Sequence, residues 1–222
     1  MADRTLFIAE AGVNHDGSLE RALQLVDAAA QAGADVVKFQ TFRAEQLATA
    51  QAQKAAYQVA NTNEAGSQLT MLRRLELSVA DHRALVERCR ERGLRFMSTA
   101  FDAASLAFVA TLDTPAIKIP SGDITCARLL LQAARLRRPL IVSTGMSTLQ
   151  DIERALGVIA FGLQSDREPT AAADFAAAYA SAEGRRLLAQ NVTLLHCVTQ
   201  YPHFINLVRG ARTRSPLEMK WI

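Results

Sequence analysis

Cysteine is scarce in this 222-residue sequence, and Cys89, Cys126 and Cys197 lie far apart with no CxxC pair. An odd, dispersed set excludes a disulfide framework and a structural zinc site and leaves reduced thiols. Aromatic residues make up only 6% and are not interleaved with Lys or Arg, so a base-stacking surface is not expected and no nucleic acid partner is inferred. No apolar run approaches the roughly 20 residues of a membrane span. The opening MADRTLFIAEAG breaks at Glu10, without the length or flanks of a signal peptide, so no membrane partner and a cytoplasmic location are expected. Charge of neither sign dominates, with 25 Lys plus Arg against 22 Asp plus Glu. The one basic cluster, Arg135, Arg137 and Arg138, reads as a solvated helix end. A glycine-rich GxGxxG phosphate turn is also missing.

What is present is a large apolar fraction, 50%, enough for a substantial core in one domain. Six β-rich runs recur between alanine- and leucine-rich stretches of helical spacing: Leu6 to Ala11, Asp35 to Gln40, Arg95 to Thr99, Ala116 to Pro120, Leu140 to Thr144 and Val192 to Cys197. The intervening helices include one capped by Ser18 and stopped at Gly33, and one from Ser78 ending at Gly93. This cadence predicts an α/β fold with a parallel sheet. Polar residues near the ends of several different strands favour a (β/α)₈ barrel of the TIM type over a doubly wound sheet, because barrel loops converge over one mouth. Only about six βα units are visible, so the barrel is expected to be incomplete, lacking strands seven and eight. Residues 47–71 read as a long loop, and residues 162–190 as an added surface helix.

Three charged residues interrupt otherwise apolar strands: Glu10, Lys38 and Lys118. Burying such groups is costly unless they are paired or liganded. Interior salt bridges to Glu10 or Asp123 are one reading. The other joins the lysines with MSTAF, SGD and STGM into a site whose cations, hydroxyls and backbone donors suit a ligand carrying phosphate and carboxylate. Asn14 and His15 read as turn and capping residues before a helix, His82 as a surface helix residue, and His196 as a core histidine rather than a metal ligand.

The series FIAEAGVNHDGS, ADVVKFQT, FMSTAFD, AIKIPSGD, PLIVSTGMS and TLLHCVTQYP, in order from residue 7 to residue 202, resembles the N-acetylneuraminate (sialic acid) synthases and the related legionaminate and pseudaminate synthases. The resemblance implies a barrel enzyme that condenses phosphoenolpyruvate with an N-acetylmannosamine-type sugar, giving a nine-carbon 2-keto acid and phosphate. It implies phosphoenolpyruvate binding by Lys38, Thr99, Lys118, Ser121 and Ser143, completed by Thr199 and Tyr201. It gives Glu10 a sugar-site or acid/base role, and Asp123 the role of a carboxylate that activates water. It also implies a Mn2+ or Mg2+ cofactor, held by histidines of an SDHT-like and an E-x-H motif, and a homodimer built with a C-terminal antifreeze-like domain.

Neither histidine motif occurs here; the one histidine past strand six, His203, stands in a different context. Residues 1–207 are therefore expected to form a partial synthase barrel, and residues 208–222 an atypical tail produced by truncation or a shifted reading frame. A chain so made could be a synthase of the sialic acid, legionaminate or pseudaminate kind. Alternatively it could be a non-catalytic fragment that retains affinity for anions.

Overall fold

A computed structural model describes residues 5–49, 67–197 and 219–221, the last three as backbone only. The chain divides into two compact units, Met1–Pro115 and Ala116–Ile222. All six expected strands are present, in parallel pairs within each unit.

In the first unit, β1 (Ile8–Gly12), β2 (Val36–Thr41) and β3 (Arg95–Ala100) run in parallel with β2 between the others. Helix α1 (Leu19–Gln31) begins where the Ser18 side chain accepts a hydrogen bond from the Arg21 amide, and it returns the chain to β2. After β2 come a single turn, α2 (Ala44–Leu47), and helix α3 (Gln68–Leu75), which starts inside the stretch expected to be loop. Helix α4 (Val79–Glu91) opens on a reciprocal cap in which Ser78 and Asp81 each satisfy the other's backbone amide, and α5 (Ala103–Ala110) follows β3.

Strand alternation splits the residues of this sheet into two faces. Val37, Phe39 and Phe96 are sealed, with Val26, Leu85 and Cys89 from the helices, in a buried apolar cluster. The rings of Phe39 and Phe96 stack with centroids 5.9 Å apart. Lys38, Gln40, Met97 and Thr99 occupy the opposite face, where Lys38 stands in register with Met97, and Gln40 with Thr99. Burial of the apolar face fixes that register, since a slip of one residue would bring Lys38 into the cluster.

In the second unit, β4 (Ile117–Ile119), β5 (Leu140–Ser143) and β6 (Val192–His196) pair in parallel in that order. A single 3-10 turn, Ser121–Asp123, follows β4. Helix α6 (Ala127–Arg135) precedes β5, and α7 (Leu149–Gln164) starts on a reciprocal Thr148–Asp151 cap. Two helices, α8 (Ala172–Ala180) and α9 (Ala182–Asn191), occupy the stretch where one was expected. Ser181 ends α8 and accepts from the Gly184 amide to cap α9, so one residue splits the alanine-rich run into two helices. Gly157 of α7 lets α8 approach, because a Cβ there would lie 2.9 Å from the Phe175 carbonyl oxygen.

A further three-residue strand, β7 (Met219–Trp221), runs parallel to β6 with Leu194 opposite Met219. The reading of the tail gave no element there, since three residues carry no measurable period. Two arginines of the basic cluster hold the end of α7 and the residues that follow it. Arg137 donates to the carbonyls of Gly162 and Leu163 at the helix end and to Asp166, and Arg135 pairs with Glu168. These are the cation-to-carbonyl contacts that a helix C-terminus favours.

Candidate functional site

The expected site residues fall into two clusters, one in each unit. In the first unit, Glu10 of β1 stands in register with Lys38 of β2, and their side chains form an ion pair. The Lys38 side chain is 15% exposed and that of Glu10 49%, so the carboxylate is the solvent-facing partner. An irregularity between Glu10 and Gly12 ends the regular pairing. Gly12 adopts φ +54, and a Cβ there would lie 3.1 Å from Glu10 Oε1 and 3.6 Å from Gln40 Nε2. The absent side chain thus leaves room for the Glu10 carboxylate, with the Gln40 amide beside it. Thr99, opposite Gln40, is buried.

Sequence reasoning passed over Gln40. The signal was available, because a residue two positions beyond Lys38 shares its face in a strand. The salt-bridge reading of Lys38 holds in this structure, and it is compatible with ligand binding because Glu10 is half open to solvent.

In the second unit, Lys118 lies in the middle of β4 and is 7% exposed. Its Nζ donates to Ser143 Oγ at 2.6 Å and to the Ile119 carbonyl at 2.9 Å. Register places Lys118 opposite Ile141, and Ser143, two residues on, lies on the same face at the end of β5. Thr144 then binds β6 through its amide and hydroxyl, both donated to the Leu195 carbonyl. Ser121 and Asp123 sit half-buried in the turn after β4. An ammonium held by a hydroxyl in an apolar strand, with a glycine-containing turn beside it, is a fitting receptor for a phosphate or carboxylate oxygen. Thr199 and Tyr201 lie outside the described residues, as does His203.

The histidines correct one expectation and refine another. His82 is not a surface residue; it is 1% exposed, on the face of α4 that also carries Leu85 and Cys89. The spacing 82, 85, 89 is the helical core period, and that signal was legible in the sequence. His15 is fully buried, and its Nδ1 accepts from the Gly17 amide at 3.0 Å, which makes it a turn-capping residue. Burial holds both rings below the ordinary imidazole range, favouring the neutral form. His196 is half-buried at the end of β6 rather than sealed in the core. Burial pushes the Cys89 thiol up to about 12, which leaves it unreactive at neutral pH.

Among the described residues, no three His, Cys, Asp or Glu side chains converge in a group that could hold a metal ion. The described residues by themselves thus offer no ligand set for a divalent metal, and no chemical step is routed through one. No helix among them is long and apolar enough to cross a membrane. A cavity of about 630 Å³ lies among α6, α7 and α8, lined by Leu130, Val158, Phe175 and Tyr179; none of the strand-end residues contributes to it.

The sequence profile of the NeuB family matches residues 25–209. An N,N'-diacetyllegionaminic acid synthase of Campylobacter jejuni is 40% identical over 205 residues, which are 92% of this chain and 54% of that protein. The enzyme of the same name from Legionella pneumophila is 42% identical over 195 residues, covering 88% and 49%. Among solved structures, the N-acetylneuraminic acid (sialic acid) synthetase of Leptospira borgpetersenii, in complex with citrate, superposes with a TM-score of 0.68 at 26% identity. It is matched over 92% of this chain and 57% of its own. The chain thus spans about half the length of the curated relatives it matches.

Proposed function

The chain belongs to the NeuB family, and from that premise we propose that it takes part in the condensation of phosphoenolpyruvate with an N-acetylmannosamine-type amino sugar, giving a nine-carbon 2-keto acid and phosphate. The 40% and 42% identity to two legionaminic acid synthases supports a diamino-hexose as the acceptor. In this reading the described strands belong to a (β/α)₈ barrel whose remaining strands and antifreeze-like domain are the parts that relatives possess beyond the matched half. The reaction would take place in the cytoplasm, and the homodimer of the family depends on that further domain.

The observation that carries the proposal is the buried Lys118 ammonium, held by Ser143 at the end of β5. Phosphoenolpyruvate brings both phosphate and carboxylate, and a pre-oriented cation with hydroxyl donors offsets that charge at low dielectric cost. Lys38, Thr99, Lys118, Ser121 and Ser143 bind it, with Thr199 and Tyr201. The enol C3 attacks the open-chain aldehyde of the sugar, water adds at C2, and phosphate leaves by C–O cleavage. Glu10, solvent-facing yet tied to Lys38, is the carboxylate for proton transfer at the sugar. Asp123, in the turn after β4, takes the proton of the attacking water in this reading.

The test is to incubate the purified chain with phosphoenolpyruvate, amino sugar and manganese, following phosphate and keto-acid formation together. Sugar-dependent release of both supports the condensation. Binding of phosphoenolpyruvate without turnover supports the rival reading of a non-catalytic anion-binding chain, and absence of binding refutes both.

A further inference from the structure

Beneath the strand ends of the first unit runs a chain of buried polar groups that the proposed reaction does not use. His82 Nδ1 lies 2.9 Å from the Ser78 carbonyl, and Nε2 lies 2.8 Å from Thr41 Oγ1. Thr41 Oγ1 in turn lies 2.7 Å from Ser98 Oγ. The proton positions follow from the donors. A carbonyl only accepts, so Nδ1 carries the hydrogen; in the neutral ring Nε2 then accepts from Thr41, whose oxygen accepts from Ser98.

The chain links α4, β2 and β3, and the side chains of His82, Thr41 and Ser98 are all buried. The His82 ring is walled edge-on by Phe96, at 6.3 Å, and by Phe108, at 5.4 Å. Such a network is stable only when fully satisfied, and when satisfied it holds its members in one geometry.

Its position gives it a use. Thr41 is adjacent to Gln40, and Ser98 is adjacent to Thr99, so the chain grips from the helix face the two strand ends that present Gln40 and Thr99 on the other. The Thr41 carbonyl also accepts the Phe101 amide, extending the grip one residue past β3. We propose that His82 is a positioning residue: through Thr41 and Ser98 it fixes the ends of β2 and β3, and so sets the placement of Gln40, Thr99 and Lys38 for an anionic ligand.

The part concerning the ligand rests on the phosphoenolpyruvate reading above; the part concerning the backbone does not. Acid reverses the chain. A protonated ring donates from both nitrogens, so Thr41 must turn its hydroxyl from His82 toward Ser98. The charged and titratable groups acting on the ring are Asp81 on its own helix, Arg43 beyond β2 and His15 in the β1–α1 turn.

The experiment compares Thr41→Val, His82→Gln and, as a control on the same buried helix face, Cys89→Ala. Backbone amide exchange is read at residues 98–101 without ligand, and phosphoenolpyruvate affinity by calorimetry from pH 5 to 8. Thr41→Val should speed exchange at the Phe101 amide about tenfold, the scale of one hydrogen bond, and weaken phosphoenolpyruvate binding by a similar factor. Wild-type protein should show an acid-dependent rise in exchange at residues 98–101 that His82→Gln lacks. Unchanged exchange in Thr41→Val, the same local change in Cys89→Ala, or local loosening with unaltered affinity would overturn the inference. If the wild-type chain binds no phosphoenolpyruvate, the proposed function falls, and the exchange comparison alone decides whether the chain positions these strand ends.

Discussion

Replacing Lys118 by Met separates a binding role from a structural one. The side chain is 7% exposed, and its ammonium donates to Ser143 Oγ and to the Ile119 carbonyl. Methionine keeps the volume and apolar stem and removes the charge. If the ammonium serves the fold, its loss leaves a hole in the hydrogen bonding of β4 and β5, at a cost of several kcal/mol. If it serves a ligand, the fold has been carrying a partly desolvated charge, and a hydrophobe of similar shape is neutral or stabilising. The unliganded K118M chain should then melt within about 2–4 °C of wild type, corresponding to a change of about 1 kcal/mol or less. Its affinity for phosphoenolpyruvate should fall by the worth of one charge-assisted hydrogen bond, about 1.5–3 kcal/mol, or about 10- to 150-fold in Kd. Calorimetric titration and thermal melting on the same preparations give both numbers. A loss of stability above about 3 kcal/mol with unchanged affinity would refute the reasoning and make Lys118 a structural residue.

Three further outcomes follow from the geometry. Asp27 accepts from Arg88 and Arg92, and these contacts hold its carboxyl at about 2; the stability it contributes is present above its usual pKa, near 3.8, and lost as pH falls toward 2. Urea denaturation of Asp27→Asn should therefore show a shallower loss of stability than wild type over that window. Gly12→Ala must place a Cβ at φ +54, costing about 1–2 kcal/mol, and push Glu10 Oε1 from its 3.1 Å position, which denaturation and a structure of the variant would register. Leu85→Ala, at a fully buried site, should cost about 2–5 kcal/mol in urea unfolding; a cost under 1 kcal/mol would contradict the described core of the first unit.

Much of the scaffold was legible because parallel strands covered by helices are nearly continuous apolar runs, and such runs stop at charged or turn residues. Strand ends moved by only a residue or two: Leu6 to Ala11 became Ile8–Gly12, and Leu140 to Thr144 became Leu140–Ser143. The capping roles of Ser18 and Ser78 are local, so the sequence displays them. The split of residues 162–190 into two helices depends on one serine serving both ends, which composition does not reveal. At the site, Glu10, Lys38 and Lys118 announced themselves by interrupting apolar strands. Gln40 is uncharged and did not, although alternation placed it with Lys38. His82 was misread because residue type was weighed over period; its alignment with Leu85 and Cys89 marks it as buried, and its partners Thr41 and Ser98 come from strands remote in sequence.

The most direct test of the account labels the reaction itself. Phosphoenolpyruvate carrying heavy oxygen at the bridge between C2 and phosphorus would be incubated with the chain, the amino sugar and manganese, and the products resolved by mass spectrometry. Condensation with C–O cleavage predicts sugar-dependent phosphate that carries the label, together with an equal amount of unlabelled nine-carbon 2-keto acid. Label retained in the organic product, or phosphate released equally without the sugar, would contradict it.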